Sequence, residues 1–116
     1  MYAMIGTLRR PPGFTTEQFR EWWIGEHVPH VLQIPSLRHY AICPADLAFD
    51  TSTGAFTSEP AYDGIAILWF DDEQAMRAAF TTAAGESDRE HLHSVGLESV
   101  VIAGSPLVQK GAVVPA

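Results

Sequence analysis

Five histidines fall within 116 residues, and three of them, His27, His30 and His39, lie close in sequence with Glu26 and Tyr40 beside them. Imidazole gives and takes protons near neutral pH without a cofactor, and an apolar setting lowers its pKa by desolvating the cation. A phenol such as Tyr40 can donate to an oxyanion that develops in a transition state. His27 is the best placed general base, because Phe19, Trp23, His27 and Val31 recur every four residues, the stripe of a helix that faces a core. From spacing alone a second reading stays open, in which His27 is a core or helix-end histidine bonded to backbone carbonyls. Tyr40 divides in the same way between oxyanion donor and strand aromatic with its hydroxyl at the rim. His27 and Tyr40 form the candidate catalytic pair.

Trp23, His30, Arg38 and His39 complete the candidate substrate-binding set. Trp22 and Trp23 read first as core and interface filler, and one of them can wall an aromatic pocket. His30, just past Pro29, also suits a solvated helix end where it stabilises the last carbonyls. Arg38 can hold a substrate carboxylate, or be an ordinary charge at a strand edge. No metal site is expected: His27-x-x-His30 straddles Pro29, and His91 and His93, two apart, diverge on a helix. Glu86, Asp88 and Glu90 read as a solvated face. There is no Gly-rich phosphate loop, G-x-S-x-G elbow or dinucleotide fingerprint, so catalysis is expected to need no cofactor.

The elements that must position these residues follow from periodicity and punctuation. Tyr2 to Leu8 is a short apolar run stopped by Arg9-Arg10-Pro11-Pro12-Gly13, a strand and a tight connection. Thr15 opens a helix, with Gln18 at the capping-box position and Phe14 and Phe19 able to close a hydrophobic staple. Pro29 is expected to end or kink it. Leu37 to Ile42 suits a strand with Arg38, Tyr40 and Ile42 on one face, and 46–62 reads as a long loop able to lid a pocket. Tyr62 to Phe70 is a dense apolar strand. Asp71, with Gln74 three residues on, caps a second helix to about Ala84, where Gly85 interrupts before a short helical turn from Ser87 to Ser94. Ser99 to Val108 supplies the last strand, and 111–116 is expected to be a frayed tail on a single domain of residues 1–110.

The order β-α-β-β-α-β is the α+β, ferredoxin-like plan, with two helices on one face of an antiparallel sheet. The uncovered apolar face predicts a homodimer. Seven Lys and Arg against fourteen Asp and Glu give a net charge of -7, which argues against nucleic acid. No apolar run approaches the ~20 residues of a membrane span, and the N-terminal residues lack a signal-like basic and apolar pattern. With Cys43 as the only cysteine, no internal disulfide can form, and a cytoplasmic location is expected. Cys43 itself reads as a small structural residue.

The run from Phe19 to Pro29, Phe-Arg-Glu-Trp-Trp-Ile-Gly-Glu-His-Val-Pro, followed by Ile-Pro-Ser-Leu-Arg-His-Tyr at 34–40, resembles the EthD family of dimeric α+β barrels. The similarity continues through Tyr62 to Phe80 and omits the long loop. That resemblance implies a cofactor-independent acid-base isomerase or lyase, one that rearranges, cyclises, dehydrates or decarboxylates a small lactone or aromatic polyketide-like metabolite. It matches His27 to the histidine of the helix-end H-x-P and Tyr40 to the tyrosine after the second proline. Some lactone-isomerising relatives use a cysteine in the third-strand region, which Ile65 to Phe70 lacks. Two other functions compete: a non-catalytic binding module for an apolar metabolite, and a cofactorless monooxygenase, which similar barrels include.

Overall fold

The computed structural model describes residues 1–111, so 112–116 of the expected tail lie outside the described residues. Four strands, β1 (Tyr2–Arg9), β2 (His39–Pro44), β5 (Gly64–Phe70) and β6 (Glu98–Gly104), form one sheet in the order β2-β5-β1-β6. Every neighbouring pair is antiparallel. This is the ferredoxin-like α+β arrangement expected, with the four sheet strands in the order that splits the two β-α-β units.

The first helix begins where its punctuation dictates. Thr15 Oγ1 accepts from the Gln18 N–H at 3.1 Å, and Gln18 Oε1 accepts from the Thr15 N–H at 3.0 Å. Its path beyond Trp22 differs from expectation. Helix α1 (Thr16–Trp22) passes into a five-residue π turn, Trp23–His27, and continues as α2 (Val28–Val31), so Pro29 neither ends the helix nor breaks it. A proline inside an α-helix lacks the donor for the carbonyl four residues back and crowds that carbonyl. A wider turn just before Pro29 relieves both demands: Val28 N–H bonds instead to the Trp23 carbonyl, five residues back.

Three further expectations are corrected beyond β2. Asp72, one residue later than Asp71, is the N-cap of α3 (Glu73–Ala79), its carboxylate accepting from the Ala75 N–H at 2.7 Å. Gly85 does not interrupt a helix; it lies in the first turn of α4 (Ala83–Ser94), capped by Thr82. A Cβ at Gly85 would collide with the Ala79 carbonyl, so the glycine is what lets α4 start so close to the end of α3. The 46–62 segment is not bare loop, because β3 (Ala48–Asp50) and β4 (Ala55–Thr57) form a hairpin. Phe49 and Phe56 pack on one another across it, ring centroids 4.8 Å apart, and both stay exposed.

Strand alternation sends Met4, Gly6, Leu8, Tyr40, Ala66 and Leu68 to the helix side. Two buried clusters form there, one around Phe19, Trp22, Trp23 and Leu8, the other around Val31, Ile34, Phe70 and Ala79. The opposite face is uncovered, with Ile5, Val100 and Ile102 exposed at 38%, 59% and 66%. Among the described residues no helix is long and apolar enough to cross a membrane.

The fully buried Trp23 indole lies on Gly64, where an added Cβ would sit 2.5 Å from the ring and 2.9 Å from the Cys43 carbonyl oxygen. Neither a packed indole nor a strand backbone can yield cheaply, so Gly64→Ala should lower stability by about 1–3 kcal/mol. Gly25→Ala, where a Cβ meets nothing within 4 Å, should not. Thermal melts of both variants check this contrast.

Candidate active site

Between the sheet and the helices lies a cavity of about 320 Å³, its apolar wall including Met4, Leu8, Val31, Leu68, Phe80 and Leu92. Leu8 belongs to one core cluster and Val31 to the other, so the cavity occupies the gap between them. Its polar lining is sparse and consists of His27, Tyr40, Asp88, Arg89 and Ser99 besides the Trp23 indole.

The π turn buries His27 to 3% exposure, and α4 brings Asp88, 6% exposed, against it. His27 Nε2 stands 3.1 Å from Asp88 Oδ1. The ring N–H is not aligned with that oxygen, which is left without a hydrogen-bond partner of good geometry. On its other side, His27 Nδ1 lies 2.9 Å from His91 Nδ1, the two rings within 7° of parallel. Trp22 covers both imidazoles, with centroids at 5.4 Å from His27 and 5.0 Å from His91. His30 stacks on His91 at 4.3 Å, and its Nδ1 is 3.1 Å from Ser87 Oγ.

Tyr40 projects from β2 into the same cavity. Burial pushes its phenol up to about 12, the Asp88 carboxylate adds to the rise, and the adjacent Trp23 indole N–H opposes it. That indole N–H is itself buried without a hydrogen-bond partner of good geometry. The phenol therefore stays protonated across the physiological range and is available as a donor. His91 is held below the ordinary imidazole value of 6.5, first by desolvation and then by His30 and His27, with Glu26 and Asp88 pulling the other way.

Of the six residues singled out in the sequence, His27, Tyr40 and Trp23 meet at the cavity, and His30 stands behind His91. The other two lie elsewhere. Arg38 precedes β2 and forms an exposed fork on Asp71, with nitrogen–oxygen distances of 2.8 to 3.1 Å. His39 is exposed and, one residue from Tyr40 in the strand, points to the uncovered sheet face. No residue of 46–62 lines the cavity, and the hairpin's aromatic pair, Phe49 and Phe56, packs on itself. Two site residues escape the sequence reading. Asp88 is not part of a solvated face, since α4 turns it inward while Glu86 and Glu90 stay exposed, and His91 follows it by one helical turn. Among the described residues no group of three or more His, Cys, Asp or Glu side chains is arranged to hold a metal ion.

An antiparallel sheet backed by helices, with a buried imidazole and carboxylate on an apolar cavity, defines a ferredoxin-like protein with the makings of an acid-base site. The EthD domain pattern matches residues 11–92, which is most of the chain, and the protein belongs to that family. Solved structures agree on the fold. An ethyl tert-butyl ether d (EthD) family protein from Bacillus halodurans is 16% identical, with a TM-score of 0.73 over 92% of this chain and 99% of its own. A dimeric ferredoxin-like protein of unknown function from Thermobifida fusca is 19% identical, with a TM-score of 0.63 over 90% of each chain. SnoaB from Streptomyces nogalater, described as a cofactor-independent oxygenase, is 9% identical, with a TM-score of 0.58 over 93% of this chain and 94% of its own. No curated protein matches the sequence.

The depressed His91 pKa has a consequence for stability. Below 6.5 the unfolded chain binds a proton that the folded chain resists, so folding should strengthen as pH rises through the interval below 6.5 and level off above it. Thermal melts between about pH 5 and 8 should show that slope in the native protein and a flatter one in His91→Gln.

Proposed function

We propose that the cavity binds a small apolar, ring-bearing metabolite and that the chain is a cofactor-independent acid-base enzyme, an isomerase or lyase. The observation that carries this is the buried His27–Asp88 pair on the wall of a mostly apolar cavity, with a protonated phenol in the same lining. A carboxylate and an imidazole are costly to bury, and buried titratable pairs in clefts cluster at functional sites. The volume suits one small ring system, at the low end of ligand pockets.

The pair, rather than His27 alone, supplies the base. Asp88 Oδ1 keeps a lone pair with no aligned donor and can take the proton from a carbon next to a carbonyl, while His27 Nε2 beside it can return a proton to the anion that forms. Tyr40 donates to the enolate or phenolate oxygen that forms, and Trp23 walls the ring. Reprotonation of that anion elsewhere gives an isomer, expulsion of a β-hydroxide that takes the proton back from the pair gives a dehydrated product, and a substrate that loses CO2 reaches the same kind of anion without the first abstraction. The same anion is what a cofactorless oxygenase would present to dioxygen, and the shared fold with SnoaB favours that as the second reading. The uncovered apolar sheet face, with a related fold described as dimeric, supports a homodimer packed face to face.

Lactones and aromatic polyketide-like ring compounds are the substrates to screen. Against a substrate found there, His27→Gln and Asp88→Asn should each lower turnover by about 10²-fold or more with the fold retained. Tyr40→Phe should cost at most about 2.7 to 4 kcal/mol in the barrier. Full activity of the His27 and Asp88 variants sinks the base assignment, and an oxygen electrode decides between the two readings, since only the oxygenase consumes dioxygen. Light scattering should report twice the 12.7 kDa chain mass, and a concentration-independent monomer would remove the face-to-face dimer.

A further inference from the structure

His91 has no place in the proton abstraction itself, yet it is fixed as firmly as the residues that do. Its ring lies between Trp22 and His30, and its Nδ1 meets His27 Nδ1 at 2.9 Å. Two imidazole nitrogens at that distance share one proton, and which ring owns it is decided by the far side of His27. There, Nε2 stands 3.1 Å from the Asp88 carboxylate, whose charge favours a proton on Nε2 although the N–H is not aligned with Oδ1. Neutral His27 then has its lone pair on Nδ1, and His91 must be the donor. His27 is 3% exposed and opens only on the cavity, so once a ligand fills that cavity its remaining polar neighbour toward solvent is His91, which is only partly buried.

We propose that His91 is a positioning residue that reinforces the His27 tautomer set by Asp88 and carries the His27 proton to and from solvent. The inference rests on the reading of His27 and Asp88 as the acid-base pair. In the inward direction, water protonates His91 Nε2, His91 Nδ1–H passes its proton to His27 Nδ1, and His27 Nε2–H is released toward Asp88 or the bound anion. Each ring gains one proton and loses one, so both are neutral afterwards with their tautomers exchanged. The outward transfer reverses every step and restores the starting state. A reaction that takes one proton and returns one resets the relay each turnover.

The groups facing His91 agree with this role. Glu26 and His27 approach from the π turn, His30 from α2 and Asp88 from its own helix. Desolvation and the two imidazoles keep His91 neutral at neutral pH, and only a neutral ring has both an N–H to give and a lone pair to accept.

The test needs no substrate. In protein labelled with ¹⁵N-histidine, long-range ring correlations assign the tautomers, and exchange with water is followed for the His27 ring proton. His91→Gln keeps an N–H that can bond His27 Nδ1 but cannot relay; His91→Phe keeps the ring between Trp22 and His30 without any nitrogen. His27 should be the Nε2–H tautomer in the native protein and in His91→Gln, where Asp88 and the donor on Nδ1 both favour it, and should hold it less completely in His91→Phe, where Asp88 acts alone. Exchange should slow by roughly tenfold or more in both variants, positioned proton transfer being worth about 10²- to 10⁴-fold. Unchanged exchange in either variant with a native melt, or an Nδ1–H tautomer in the native protein, overturns the proposal. If His91→Phe does not fold, His91→Gln decides it alone. Slowed exchange alongside a failed substrate screen would reject the enzymatic reading and leave the relay standing; unchanged exchange with active protein would do the reverse.

Discussion

Asp88 is a carboxylate at 6% exposure on the edge of an apolar cavity, and its burial sets terms that the neighbouring elements have to meet. Removing such a group from water costs several kcal/mol unless an opposite charge or a donor offsets it. The residue within reach is His27, so α4 can dock only where the π turn has already placed that imidazole. The approach also needs Gly85, since any side chain there meets the Ala79 backbone. Trp22 then closes over both imidazoles, joining the His27–His91 contact to the Phe19 cluster. The pair and the core thus hold each other in place, and breaking a buried pair from one side typically costs about 3–5 kcal/mol.

The π turn ties this constraint to Pro29. An uninterrupted α-helix would place a proline ring against the Gly25 carbonyl, and a helix ending at Pro29 would lose α2 and with it His30 and Val31. Widening one turn keeps the helical rod going and leaves both Trp23 and His27 buried. Local π geometry of this sort tends to occur at functional sites. Here its effect can be named: it aims a fully buried indole at Gly64 and an imidazole at Asp88 from the same five residues.

Much of the scaffold is legible in the sequence because it depends on short-range signals. The Thr15–Gln18 box, the period-four stripe through His27 and the dense run before Phe70 each specify an element locally, and their order specifies the sheet. The cap of α3 falls one residue from its expected place because Asp71 and Asp72 are both good caps, and Arg38 engages the first. The hairpin at 48–57 is hidden by its shortness, three residues a strand. Asp88 is missed for a more instructive reason. Glu86, Asp88 and Glu90 alternate, which looks like one polar surface, but two residues on a helix turn by about 200°. Gly85, Asp88, Leu92 and Val95 are the positions that share a face at spacings of three and four, and that face is the one α4 buries. His91, three residues after Asp88, lies along its edge. What no local pattern reveals is that Nδ1 of one histidine would meet Nδ1 of another 64 residues away.

In the proposed reaction, the electrostatic coupling that raises the Tyr40 pKa also makes the phenol a better donor once a donor is needed. Burial of the ring, and after it the nearby Asp88 carboxylate, keep the proton on Tyr40, with the phenol pushed up to about 12. When the His27–Asp88 pair takes a proton from a substrate, the net negative charge moves from the pair to the substrate oxygen. The field that held the phenolic proton then weakens, and a new acceptor appears in the same cavity. Donor strength toward that oxygen therefore increases as the oxygen becomes anionic, which is the differential between ground and transition state that accelerates a reaction. An acid and a base that share one low-dielectric cavity are coupled in this way without touching, because in an apolar wall little water stands between them to screen the change.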